Sequence, residues 1–518
     1  MLKNLPILFA LGCSSTPKSI PDSESPRADW TIVLDPSSTA GALPSTLLGQ
    51  YELSGALFHY DEHSQLIAMM KDAGMAEWRV GLGRWEFITQ LLPTLTDGTP
   101  CAVPPIAMAP AGTTDLDLIR ARDWFTYTDG APVTAAMVAD DSRYQLGYLR
   151  SVLDVVDAYG AKPYVNIDHM PRALAANQTP VRTNAEWPNQ CGITWTNKVS
   201  NVRPADPMTF AGAVVGLVRR IVEGENGEPG RAVQYWEFGN EPDLPYAWNP
   251  HVGDFGTYLV TAALTLTALD NYRQQTTNAN GKAIRIGLGS FADPEHAATI
   301  VGALDVPFDF ISFHSEMHDD PLQVVADIEK VKVARDASVN HKDAELVLAE
   351  WHRALDNTTL DSHTMDVALH HATVIALGAA LGLTRAHHAL FWDFYGPDVP
   401  DLGIINHDFS PKPAFYAFVL LAQVIGADRE RLAPIGAEDG KLDDGMGAVL
   451  ASKDASGKVR VLLVNRNTAP RTARIVLPAG AATPTHVSTF DESTTEPSDT
   501  AAAEVIDIPP RSIVAVEL

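Results

Sequence analysis

Cysteine is almost missing from this chain, which has three in 518 residues, at positions 13, 101 and 191. With Cys13 in an N-terminal leader, one internal pairing at most remains. Basic residues are also scarce: 38 Lys and Arg stand against 64 Asp and Glu, a formal charge of −26. That balance weighs against nucleic acid and other polyanions, which require a basic footprint. Beyond the leader no apolar run reaches the roughly 18 residues that a membrane span needs. A phosphate-binding turn is lacking as well, since Gly81-Leu82-Gly83-Arg84-Trp85 has no third glycine. This disfavours a doubly wound open sheet, the runner-up fold.

What is present describes an ordinary globular protein, 46% hydrophobic and 20% charged, long enough for one large domain and a small one. Met1-Leu2-Lys3-Asn4 followed by Leu5-Pro6-Ile7-Leu8-Phe9-Ala10-Leu11-Gly12 reads as an export-type leader. Ala10-Leu11-Gly12-Cys13-Ser14 resembles a bacterial lipoprotein cleavage box, with Cys13 the lipidated residue, although Leu11 stands one place late. The alternative is a plain secretory signal or a misplaced start. Residues 1–28 are thus expected to be a signal and tether, on a protein exported to the bacterial periplasm or cell surface. Cys101 and Cys191 lie in Pro/Gly/Asn-rich loops and are either an expected disulfide or two free thiols.

Between residues 50 and 425 apolar runs alternate with helical patterns. The pattern predicts strands near residues 53–58, 76–80, 162–167, 235–238, 284–289, 308–313, 346–349 and 389–392. Helical stretches fall at 64–73, 143–159, 208–223, 258–275, 295–304, 321–338 and 365–381. Eight strands with seven helical stretches between them predict a (β/α)8 TIM barrel, whose active-site groups sit at the strands' C-terminal ends. The expected barrel covers residues 29–427, with 29–48 open to joining the next unit. From residue 428 short β-rich runs at 459–464, 472–477, 485–490, 504–508 and 512–517 predict a C-terminal β-sandwich. The run at 30–34 has the same character. No cluster of aromatics marks the sandwich as a binding surface, so a structural role is expected.

The predicted strand ends carry polar and aromatic groups: Arg79, Asn166, Asp168, His169, Asn240, Glu241, His314, Glu350, Trp392 and Asp393. Two of these are glutamates that each close an apolar run, in Trp236-Glu237-Phe238-Gly239-Asn240-Glu241-Pro242 and in Leu346-Val347-Leu348-Ala349-Glu350. Paired carboxylates facing one another suit acetal cleavage, in which one acid protonates the leaving oxygen and the other stabilises or attacks the anomeric carbon. Their environments must push their pKa values apart. Arg79 near Glu350 would keep that carboxylate ionised, while Trp236, Phe238 and Pro242 favour a protonated Glu241. Tyr246, Trp248, Trp351 and Trp392, with Trp187 and Trp195, are candidate platforms for sugar faces.

These motifs, together with Phe308-Asp309-Phe310-Ile311-Ser312-Phe313-His314-Ser315, Gly403-Ile404-Ile405-Asn406-His407-Asp408 and Pro411-Lys412-Pro413-Ala414-Phe415-Tyr416-Ala417-Phe418, resemble clan A glycoside hydrolases and in particular glycoside hydrolase family 39. That family includes β-xylosidases and α-L-iduronidases. The resemblance implies Glu241 as acid/base, Glu350 as nucleophile, Asn240 as the grip on a sugar 2-hydroxyl and Arg79 as the support of the nucleophile. Asn166, His169, His314, Tyr246, Trp351 and Trp392 are the further expected substrate contacts. One position departs from the family pattern: where related enzymes often have Tyr, two residues after His314, this chain has Glu316.

The expected activity is therefore retaining hydrolysis of a neutral, xylosidase-like oligo- or polysaccharide, with no cofactor and no metal. Two other classes compete. A metal-dependent barrel hydrolase is prompted by sixteen histidines, including His370-His371 and His387-His388. Such barrels use His-x-His on the first strand, whereas this chain offers His59-Tyr60-Asp61-Glu62-His63, and adjacent strand histidines face opposite sides. The other is a non-catalytic glycan-binding surface lipoprotein, against which the presence of both carboxylates argues.

Overall fold

A computed structural model describes residues 28–51, 63–82, 124–126, 128, 131–167, 170–176, 182–183, 194–195, 203–225, 227–244, 255–353, 363–392, 403–406, 408–500 and 502–518. Eight parallel strands close a barrel: β1 (Gly49–Tyr51), β2 (Glu77–Gly81), β3 (Lys162–Ile167), β4 (Tyr235–Phe238), β5 (Arg285–Phe291), β6 (Phe310–His318), β7 (Glu345–Arg353) and β8 (Leu383–His388). They pair in chain order, and β8 closes onto β1 through His387↔Gly49 and His388↔Gln50. A long helix follows each strand: α1 (His63–Asp72), α2 (Gly147–Tyr159), α3 (Pro207–Glu223), α4 (Phe255–Gln275), α5 (Pro294–Ala303), α6 (Pro321–Ala337), α7 (Met365–Ala380) and α8 (Pro413–Val424), with short helical turns at Ala135–Ala139 and Ala279–Lys282 between them.

Three of these helices start with the same two residues. Asp206-Pro207, Asp293-Pro294 and Asp320-Pro321 open α3, α5 and α6, and each Asp carboxylate accepts from backbone N–H groups of the first turn. Proline costs nothing at that position because its missing N–H would be unpaired, and each cap contributes about 1 kcal/mol.

Two of the sequence expectations need revision. The barrel is closed by Gly49–Tyr51, and the expected first strand at 53–58 lies outside the described residues. The eighth barrel strand is Leu383–His388, not 389–392; Leu390–Trp392 instead pairs with Gly403–Ile405 in a two-stranded sheet above it. The physical reason is Arg385 and His387. Their charged or polar side chains face a buried carboxylate across the barrel, which turns an unpromising polar run into an interior strand.

Alternation along each strand sorts side chains between two environments. On β6, Ile311 and Phe313 face the helices, while Phe310, Ser312, His314 and Glu316 rise along the interior. Trp78 and Val80 likewise face outward and Glu77 and Arg79 inward. The lowest interior layer is ionic, with Arg385 paired to Glu77 and Glu345 and stacked 3.5 Å over the Tyr235 ring. Above it Tyr164, Tyr235, Phe310, Val347 and Ala349 pack together. Gly287 is obligatory there, since a Cβ would lie 1.9 Å from the Phe310 ring.

The C-terminal region forms two sheets. Trp30–Val33 pairs in parallel with Arg471–Leu477, alongside Gly480–Ala481 and Ile506–Ile508. The larger sheet includes Thr39–Ala42, Glu430–Leu432, Gly447–Lys453, Val459–Asn465, Ser512–Glu517, His486–Asp491 and Ser498–Asp499. Its central strands are buried on both faces. Val449, Val461, Leu463, Val514 and Val516 meet Trp30, Ile32, Ile475 and Ile508 of the small sheet. Their neighbours Ala448, Leu450, Leu462, Val464 and Ile513 join the barrel's helical core. No described helix is long and apolar enough to cross a membrane.

Candidate active site

Three positive-φ backbone points, two of them strained, shape the barrel mouth. After β4 the chain turns through Gly239 at φ +96°, where a Cβ would come 2.8 Å from the Tyr258 ring, and Glu241 takes φ +46°. At the end of β5 Ser290 takes φ +58°. Left-handed conformations at non-glycine residues cost about 1–3 kcal/mol and persist where the surroundings enforce them. Here the Glu241 N–H donates to the Ser290 carbonyl at 2.7 Å, which locks the two strained residues to each other. Asp243 pins the same loop to the start of α5, accepting from the N–H groups of Ala292 and Asp293 at 2.9 Å each and contacting His296 Nδ1 at 3.0 Å.

Beneath the mouth lies a buried charge pair. Arg79 Nε donates to Glu237 Oε2 at 2.8 Å, and both side chains are fully buried. Glu237 also accepts from the Tyr164 hydroxyl at 2.8 Å and from Asn166 Nδ2. Burial alone would raise the Glu237 pKa, but the Arg79 charge and hydrogen bonds from Ser312, Arg79 and Asn166 outweigh it and hold the group below the usual carboxylate range. Arg79 shows the mirror effect. Burial opposes its charge, while Glu237 and then Glu350 raise its pKa. The flat face of its guanidinium is covered too, with the guanidinium carbon 4.5 Å from the Tyr51 ring centroid.

Arg79 also organises the next layer. Its NH2 group donates to Asn240 Oδ1 at 2.9 Å and to Ser290 Oγ at 2.5 Å, and its NH1 stands 3.7 Å from Glu350 Oε2. With its oxygen held by Arg79, Asn240 leaves its amide NH2 without a partner among the described residues. His314, 1% exposed, lies between the two mouth glutamates, with Nδ1 3.3 Å from Glu241 Oε1 and Nε2 3.9 Å from Glu350 Oε2. Its Nε2 also contacts Ser290 Oγ at 2.5 Å. One tautomer satisfies both contacts while Glu241 is ionised: Nδ1–H donates to Glu241 and the Ser290 hydroxyl donates to Nε2.

Glu350 reaches the interior through a β-bulge. Ala349 faces inward, so plain alternation would turn Glu350 out toward the helices beside Leu346 and Leu348. The register between β6 and β7 shifts at that point, from Phe313↔Leu348 to His314↔Glu350. The extra residue re-aims Glu350 toward Arg79 and His314. The side chains of Glu241, Glu316 and Glu350 keep 28%, 25% and 20% exposure, so a ligand in the mouth can touch all three.

Glu316 is the unexpected member. Its Oε1 lies 3.9 Å from His314 Nδ1. Burial and the Glu241 charge push it up to about 7, against weaker lowering by Glu350 and Arg79. Glu241, His314 and Glu316 each offer a ligand atom within 4.8 Å of the others, the outline of a cation site. Both His314 nitrogens already have side-chain partners, however. The histidine pairs do not extend the set. His387 faces inward to Glu77 at 3.0 Å, while His388 and His371 pack on the outer Trp351.

The structure thus brings together Arg79, Asn240, Glu241, His314 and Glu350. Asn166 sits lower, 1% exposed, and is engaged by Glu237 and by the Gly239 carbonyl at 2.8 Å; it supports the mouth rather than lining it. Trp351 is a correction. It is completely buried between the barrel and its helices, 4.9 Å from the His371 ring, because the bulge that turns Glu350 in turns Trp351 out, and no sugar can reach it. His169, Tyr246, Trp187, Trp248, Asp168, Asp393, Cys13, Cys101 and Cys191 lie outside the described residues, as do the side chains of Trp195 and Trp392. Sequence reasoning missed Glu237, Ser290, Ser312 and the role of Glu316. Only Glu316 carried a local signal, its place on the alternation of β6.

No family model and no curated protein matches the chain. Solved structures do. A GH39 β-xylosidase from Caulobacter crescentus matches with TM-score 0.60 at 16% identity, over 94% of this chain and 99% of its own. A glucosidase from Croceicoccus marinus matches with TM-score 0.60 at 17% identity, over 94% and 98%. An α-L-arabinofuranosidase from Thermotoga maritima matches with TM-score 0.58 at 14% identity, over 95% and 100%. At such identities the likeness is one of architecture: this chain shares the fold of those glycosidases over nearly its whole length, the TIM barrel together with its C-terminal sheets.

Proposed function

We propose that this protein is a retaining glycoside hydrolase acting on O-glycosidic bonds of a neutral, xylosidase-like oligo- or polysaccharide. The observation that carries the reading is the unequal treatment of two glutamates at one barrel mouth. Glu350 stands 3.7 Å from the Arg79 guanidinium, which favours its ionised form. Glu241 instead faces His314 Nδ1 at 3.3 Å and stands beside Glu316, away from that cation, where a proton can pass to and from it. In this reading Glu350 attacks the anomeric carbon while Glu241 protonates the leaving oxygen. Glu241 then deprotonates the water that releases the sugar. The Asn240 amide, oriented by Arg79, donates to a sugar hydroxyl beside the reacting carbon. Three carboxyl groups at the mouth and a chain charge of −26 favour an uncharged sugar. Export and tethering through Cys13 belong to the same proposal.

Proton NMR of the first-formed product from an aryl glycoside tests it. Retention of anomeric configuration is expected, and Glu350→Gln should abolish turnover. Glu241→Ala should still react where the leaving group needs no proton, then recover turnover with azide. Inversion, or full activity of Glu350→Gln, refutes the assignment. Failure to cleave any aryl glycoside or glycan in a broad panel would leave glycan binding as the function.

A further inference from the structure

A cavity of about 230 Å³ lies where the barrel rim meets the C-terminal sheets. It shares no residue with the mouth, yet it stands on the same barrel face. Asp319 and Arg353 line it, and they follow Glu316 and Glu350 by three residues each, roughly 10 Å further along the strand direction. Ion pairs build its walls. Arg353 Nε lies 3.2 Å from Asp319, and Arg511 of the sheets lies 2.6 Å from Asp366 at the start of α7. Arg466 reaches from the sheets to Asp320, the cap of α6, at 2.9 Å. Each guanidinium has five N–H donors, more than these pairings use.

His370, on α7, is the wall that asks for a ligand. It is 1% exposed, and neither ring nitrogen makes a hydrogen bond among the described residues. The His318 backbone gives it only a weak polar contact. Its ring is fixed from behind, nearly parallel to Trp351 with centroids 6.4 Å apart. Burial first, then His371, Arg353 and Arg466, holds its pKa well below the usual histidine range, so the ring is neutral. A neutral imidazole offers one N–H donor and one acceptor. Buried polar atoms of this kind are normally satisfied, by protein, water or a ligand.

Charge narrows the class of ligand. An anion would meet Asp319 and Asp366, and a cation would meet three guanidinium groups. A neutral molecule rich in hydroxyl groups fits both constraints. Each Asp–Arg pair sets an acceptor beside a donor, the complement of a diol, whose hydroxyls both donate and accept. Pro321, Leu369 and Met446 supply an apolar face for C–H groups. We propose that this cavity is a second carbohydrate site, in which His370 and the Asp–Arg pairs hold one neutral sugar unit of a glycan outside the catalytic mouth. This rests on the reading of the chain as a glycosidase of neutral glycans. The volume suits a single ring, being below the roughly 300–1,000 Å³ of pockets for larger ligands. A glycan anchored there is held close to the mouth, which raises its effective concentration at the two glutamates.

Met446 lines the cavity and is 41% exposed, so its methyl group reports occupancy directly. Full-length protein with isotope-labelled methionine methyl groups is titrated by NMR with D-xylose, L-arabinose, D-glucose and D-galactose, and Met446→Leu assigns the signal. At least one of these sugars should move the Met446 signal, with a Kd in the millimolar range. His370→Phe keeps the ring packing but removes both nitrogens, and should weaken that Kd about tenfold or more. Asp319→Ala, at a position 76% exposed, should do the same. Aryl-glycoside kcat/KM and the thermal midpoint should stay close to wild type in both variants, and where phenylalanine at the buried site unfolds the protein, Asp319→Ala decides alone. A histidine that only packs would leave the titration of His370→Phe unchanged, which refutes its role. A Met446 signal that no neutral sugar moves makes the cavity a hydrated joint and overturns the proposal, as does a response to sodium glucuronate alone. A protein that cleaves no glycoside would lose the proposed function, and the Met446 titration would still decide this site.

Discussion

Replacing Glu237 by Gln tests how the buried pair supports the site. The substitution keeps the shape but removes the charge that balances Arg79. Glu237 is the carboxylate within hydrogen-bonding distance of Arg79, since Glu350 stands 3.7 Å away. Gln also sets an NH2 group against one of three donors, Arg79 Nε, Asn166 Nδ2 or the Tyr164 hydroxyl, of which only the tyrosine can turn to accept. Breaking one side of a fully buried ion pair costs about 3–5 kcal/mol. Urea denaturation followed by tryptophan fluorescence should show a loss of that size. Because Arg79 holds Asn240 and faces Glu350, kcat should fall as well, by about a hundredfold. The acid limb gives an independent sign. Glu237 has a depressed pKa in the folded protein, so its contribution is present above the ordinary value of 4.5 and is lost as pH falls below it. Glu237→Gln should be less acid-sensitive than wild type in that window. A destabilisation under about 1 kcal/mol, with unchanged acid sensitivity, would refute the reasoning.

Three further outcomes are expected. Asp243→Ala releases the Glu241 loop from the start of α5 and should cost about 2–3 kcal/mol, with kcat falling while KM hardly moves; steady-state kinetics and thermal melts check both. Trp351→Phe should destabilise by about 1–3 kcal/mol and leave KM unchanged, because Trp351 is buried against His371 and Phe418; a raised KM would restore it as a sugar platform. Cys13→Ala should release the exported protein from the membrane fraction on immunoblotting, and a wild-type protein already free in the periplasm or medium would end the lipoprotein proposal.

Local sequence determined a good deal. Apolar runs of strand length alternating with helical periodicity predicted the barrel. Period-two alternation put Phe310, Ser312, His314 and Glu316 on one face. These features were legible because each depends on neighbours within a few residues. Where polar side chains belong inside the barrel, the same rule misled. The run 383–388 does not read as a buried strand, because Arg385 and His387 look exposed until Glu77, more than 300 residues earlier, pairs with them.

The site depended more heavily on tertiary structure. Glu237 sits in plain view in the motif, yet nothing near it signals that Arg79, 158 positions away, shares its buried charge. Glu350 owes its direction to a bulge that appears only when β7 pairs with β6, and Trp351 is turned outward by the same step. The strained turns at Glu241 and Ser290 exist because each holds the other across two strands. Sequence alone thus named the two glutamates and the fold that carries them. Charge pairing and strand register, which are properties of distant segments brought together, decided where those carboxylates point and placed Glu316 beside them.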